Sequence, residues 1–193
     1  MTLTASLRRA RIRSGETLRD VARRAGVAAP NLSTIERGRR DPTSATVQRV
    51  AQALGVSFVP VASRGRASAA EALPLIAAAH ERGEHRLAYR SFIQLADDLA
   101  VADAVTRVLL SAEPPEPSET RWDDAVAALV EYRLVSLHAP VPAWVRENTG
   151  DAEHPWEPQR AEVPLPFPVD EAEVAEPFQR RGVMIEANEL DSA

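Results

Sequence analysis

The chain has 193 residues, 45% hydrophobic and 26% charged, room for one large or two small domains. It contains no cysteine, which excludes disulfides, thiolate metal sites and a cysteine nucleophile, and no apolar run long enough to span a bilayer. The net charge of −5 conceals a split: residues 1–66 carry 13 basic residues against four acidic ones, and residues 67–193 carry ten against 24, so the head is +9 and the remainder −14. Every basic residue is an arginine.

In chain order, residues 3–13 (LTASLRRARIR) read as a helix stopped near Gly15. Leu18, Val21, Ala22 and Ala25 then fall at i, i+3, i+4 and i+7, one face of a second helix, with Thr17 as its cap and Asp20 completing a capping-box-like pair. Gly26 stops that helix, and Val27, Leu32 and Ile35 form the apolar stripe of a third, ended by Gly38. Pro30 lies in the first turn of this third helix, where its missing N–H costs little. Residues 44–54 give a fourth helix, capped by Thr43 or Ser44 and stopped by Gly55. Two short helices joined by a tight turn form a helix-turn-helix, whose second helix fits the DNA major groove. The segregated arginines suit a phosphate backbone.

The stretch from about Leu7 to Val56 resembles the Cro/repressor-type (XRE-like) helix-turn-helix family. The resemblance rests on LRRARIRSG, the TLRDVA run, GV at the turn, IERGRRDP and VQRVAQALGV, in the family's order and spacing. It implies a five-helix-type repressor domain over residues 1–62, dimeric on an operator. It also implies that Ala28, Ala29, Asn31 and Thr34 face base edges. Asn31 is suited to a bidentate contact with adenine, and an alanine methyl to a thymine methyl. Pro30 and Ser33 lie nearby, Thr17 sits at the DNA-facing end of the second helix, and Arg13, Arg37, Arg39 and Arg40 suit phosphate clamping. Glu36 is expected to pair with a neighbouring arginine. One departure matters: relatives commonly carry a phosphate-binding glutamine where this chain has Leu18.

Val56–Val61 is short, apolar and interrupted by Pro60, which suits either an edge strand, as in some antitoxin-type relatives, or a tether leaning on the head. Residues 63–68 read as a linker. Residues 69–139 then carry helical periodicity at 68–82, 85–100, 101–112 and 120–138, a small bundle with Tyr89, Phe92 and Leu95 in its core. From 140 to 177 eight of 38 residues are proline, which argues against regular helix or central strand. Trp144, Trp156, Phe167 and Phe178 are the aromatic anchors of the acidic segment 140–193, laid on either the chain's own bundle or a partner protein. The tail EVAEPFQRRGVMIEANELDSA weakly resembles bacterial antitoxin-type regulators.

No Walker loop, dinucleotide fingerprint or nucleophile elbow is present, and the four histidines lack metal-pair spacing. No enzyme activity, metal or cofactor is expected. The N-terminus lacks an apolar signal core, so a cytoplasmic location is expected. The leading expectation is a mainly α, dimeric, operator-binding repressor, the autoregulating antitoxin of a toxin. A repressor with a small-molecule-sensing helical domain is the alternative, and an enzyme fused to a DNA-binding head the weakest.

Overall fold

The computed structural model describes residues 3–161 and 168–191. The chain divides into two compact units, 1–60 and 61–193. Each has its own apolar core.

The first unit holds α1 (Leu3–Arg13), α2 (Leu18–Arg24), α3 (Ala29–Glu36) and α4 (Ser44–Ala53). Its core is built from one apolar stripe per helix: Leu7, then Val21 and Ala22, then Leu32, then Val47, Val50 and Ala51. Thr17 caps α2 by accepting the Asp20 amide at 3.2 Å, and its hydroxyl donates to the Asp20 carboxylate at 2.6 Å. Gly26 takes φ +63, a left-handed conformation that costs a side-chain-bearing residue energy, and lets the chain turn at once into α3. Gly15, Gly38 and Gly55 close the other three helices in the same way.

One expectation for this unit changes: four helices rather than five lie within residues 3–60. Residues 56–63 have no regular secondary structure and join no ladder within the chain. Val56 leans on the core, while Phe58 and Val59 remain exposed.

The second unit opens with a turn in which Arg64 and Gly65 both take positive φ. The expected linker ends before Ser68, because the Ala67 amide donates to Asp98 at 2.8 Å and Ser68 forms a capping box with Glu71. α5 (Ala69–Glu81) and α6 (His85–Ala100) pack as an antiparallel pair about Gly83, followed by α7 (Ala104–Ala112) and α8 (Trp122–Val135). Asp103 caps α7 and sets the break after Ala100. α8 is buried on nearly every side, from Trp122 and Ala125 through Val130 to Leu134, so it forms the axis of the unit.

The proline-rich segment contains more regular structure than its composition suggests. Proline falls at helix starts, where it is tolerated: Pro142 precedes α9 (Ala143–Glu147), and Pro177 lies in the first turn of α10 (Glu176–Gln179). α11 (Ala187–Leu190) follows. Of the anchors named for an own-bundle or partner surface, Trp144, Trp156 and Phe178 pack on the bundle. Trp144 donates Nε1–H to the Ser111 carbonyl at 3.0 Å. Trp156 stands edge-on to Trp122 at 5.1 Å, and Phe178 is fully buried against Tyr132. Phe167 lies outside the described residues.

A buried and a half-buried arginine sew this tail in place. Arg181, 1% exposed, pairs with Glu131 at 2.8 Å and donates to the carbonyls of Pro177 and Val145 and to Asn148. Arg121 reaches the carbonyls of Asp151, His154, Arg181 and Gly182. Gly182 lies so close to the Asp151 backbone that a Cβ would overlap it. Among the described residues, no helix is long and apolar enough to cross a membrane.

Candidate nucleic-acid interface

α3 turns Leu32 and Ile35 into the core, leaving Ala28 and Pro30 exposed and Ala29, Asn31, Ser33 and Thr34 half-buried. Ala28 occupies the N-cap with no side-chain acceptor, so the first-turn amides and the positive end of the helix dipole face outward. Thr34 donates its hydroxyl to the Pro30 carbonyl at 2.8 Å. Asn31 is the one amide side chain on this helix, and Arg40 Nη1 donates to its Oδ1 at 2.9 Å.

The arginines sort into two groups. Arg11 grips Glu36 with two parallel bonds of 2.8 and 2.7 Å, and this bond raises the guanidinium's pKa above its ordinary value. Glu36 thus takes the expected arginine partner, across 25 residues of chain. Arg24 pairs with Glu16, and Arg23 with Asp20. Arg13, Arg37 and Arg39 are exposed and have no ion-pair partner among the described residues. So are Arg19 and Arg49, which the sequence reading did not single out. The surplus charge of the head therefore rests on cations free to meet phosphate.

Leu18 lines an open hollow of about 510 Å³ with Arg8, Arg11, Ser33, Glu36 and Arg37. Where relatives carry a phosphate-binding amide, this chain places an apolar side chain beside the free Arg37. Thr17 is committed to its cap, which fixes the start of α2. The structure thus brings Asn31, Arg40, Ser33, Thr34 and Arg37 together on α3 and the turn after it. Arg13 sits at the end of α1 and Arg39 on the exposed turn.

The four histidines form no metal site among the described residues. His80 and His85 do meet, edge to face at 5.3 Å, because the turn at Gly83 folds α6 back on α5. Spacing along a single helix gave no sign of this contact.

Residues 2–63 match the family model described as a helix-turn-helix domain. An uncharacterised HTH-type transcriptional regulator, y4dJ, from Sinorhizobium fredii (strain NBRC 101917 / NGR234) is 49% identical over 51 residues. That alignment covers 26% of this chain and 66% of the relative. No solved structure matches the chain. The head of this chain is thus similar to XRE-like helix-turn-helix regulators, and the coarse function this similarity points to is DNA-binding regulation.

Proposed function

We propose that this chain is a sequence-specific transcriptional repressor that binds an operator as a homodimer, with α3 in the major groove. The observation that carries this reading is the outward face of α3, where one amide and small apolar side chains are flanked by unpaired arginines. Such a surface separates base reading from phosphate anchoring, as sequence-specific binding requires. A single unit spans few base pairs, so specificity calls for a second copy one helical turn away. Phe58 and Val59, exposed beside a hollow lined by Leu3, Val47 and Val56, supply an apolar surface for that copy. Sedimentation of a Phe58→Asp, Val59→Asp variant tests the contact. Monomers with weakened operator binding are expected, and a variant that stays dimeric places the contact elsewhere.

We further propose the antitoxin role: the second unit engages a basic protein partner encoded with it. The −14 charge of residues 67–193 supports this. So do Val101, Val105 and Leu109 on or beside α7 and Val135 and Leu137 at the end of α8, large apolar side chains left exposed. With Trp144, Trp156 and Phe178 turned inward, the α7 and α8 surface takes over the anchoring role. Co-expression with the neighbouring gene decides the matter: protection from growth arrest supports it, and normal growth with that gene alone removes it.

A further inference from the structure

The one amide on the reading helix is already engaged. Asn31, in the first turn of α3, accepts a hydrogen bond on Oδ1 from Arg40 Nη1 at 2.9 Å. Its neighbours Ala28, Ala29 and Pro30 have no hydrogen-bonding side chain, and the Thr34 hydroxyl donates to the Pro30 carbonyl. Base reading at the tip of α3 therefore falls to Asn31 and whatever is bound to it.

An isolated asparagine presents one acceptor and one donor in a plane, the complement of adenine's N6 amino group and N7. Here the guanidinium takes one of the two lone pairs of Oδ1 and sets its positive charge beside the other, where an incoming amino group is met unfavourably. What the pair shows outward is dominated by donors, the Nδ2 hydrogens of Asn31 and the remaining N–H groups of Arg40. Adenine answers one donor with N7 but brings its amino group against the rest, and cytosine offers an amino donor alone. Thymine offers one acceptor beside a methyl group. Guanine offers two adjacent acceptors, O6 and N7, and answers a donor pair on both.

We propose that Arg40 is a specificity-determining residue rather than a phosphate clamp: by binding Oδ1 it biases Asn31 toward donating and directs it to guanine. This rests on the DNA-reading assignment of α3 made above. It also replaces the expectation that Asn31 selects adenine, because that expectation treated the amide as free.

The test is selection of bound duplexes from a randomised pool by the full chain, carried out on the unsubstituted protein and on Arg40→Ala, Asn31→Ala and Arg39→Ala. Arg40 and Arg39 are both exposed, so their substitution leaves the core untouched. The unsubstituted protein should select guanine at one position of each half-site, by roughly tenfold over adenine. Arg40→Ala frees the amide and should move that same position toward adenine, leaving the other positions unchanged. Asn31→Ala should flatten the position, and Arg39→Ala should weaken every sequence alike. Adenine selected by the unsubstituted protein, or an Arg40→Ala variant that weakens all sequences evenly, overturns this inference and leaves α3 as the reading helix. Absence of any sequence preference in the unsubstituted protein overturns the DNA-reading assignment as well.

Discussion

Arg11 and Arg37 belong to the same basic head and do opposite work. Arg11 is largely buried with its guanidinium spent on Glu36, so it holds α1 to α3. Glu36→Ala would leave that cation without its carboxylate, and we expect the head to lose about 1.5–3 kcal/mol, measured by denaturant unfolding. Duplex affinity at saturating folded protein should change little. Arg37 and Arg39 have no such duty. An Arg37→Ala, Arg39→Ala variant should keep its stability, lose affinity for all duplexes alike, and flatten the slope of log K against log salt by ~0.9 for each lost phosphate contact. A gel-shift titration from 50 to 200 mM salt checks both parts. An unchanged slope would show that these two side chains do not touch phosphate.

Sorting arginines in this way was beyond the sequence, and the reason is physical. Composition showed a +9 head, but which cations are neutralised depends on partners such as Glu36, 25 residues from Arg11. The Arg40–Asn31 bond was hidden likewise, because it forms only once the chain after α3 turns back toward that helix's start.

At the level of elements, helix ends were the most legible feature. A cap or a left-handed glycine acts through its own few residues, so Thr17, Gly26 and Thr43 show themselves in local sequence. Thr17→Ala should cost about 1 kcal/mol in the unfolding of the head, since the Asp20 amide loses its acceptor. The proline-rich segment was legible only as composition. Proline density argues against long helices but does not say where aromatic side chains come to rest, and Trp144, Trp156 and Phe178 rest on α7, α8 and their neighbours.

The division into two units gives the whole molecule two separable stabilities. In the second unit, Phe178, Val183, Ile185 and Leu190 are part of the same core as α5, α6 and α8. Truncation after Pro140 removes all four, and each large apolar side chain lost from a core costs a few kcal/mol. We expect the truncated bundle to lose its cooperative thermal transition, followed by near-UV circular dichroism through Trp122, while the head keeps its own. An unchanged transition would mean that the tail only decorates the bundle.

The second unit should also carry an acid-side dependence through Glu131. Burial opposes its charge, but hydrogen bonds from Arg180 and Arg181 outweigh that and hold its pKa below the ordinary value. A carboxyl with a depressed folded pKa contributes stability above its unfolded pKa of ~4.3 and loses it as pH falls through the folded value. Glu131→Gln should therefore lower the melting temperature clearly at pH 7 and progressively less as pH drops below about 4. A deficit independent of pH would assign the effect to packing instead.

The account centres on α3 as a reader of DNA sequence, and one measurement bears on it most directly: competition of the duplex selected by the full chain against a random duplex of equal length, titrated against salt. A half-site repeated about one helical turn (~34 Å) apart should emerge, with affinity at least ~10³-fold above the random duplex. Both affinities should fall steeply as salt rises, and only the cognate one should drop further in Asn31→Ala. Equal affinity for selected and random duplexes, or a preference untouched by Asn31→Ala, would contradict it.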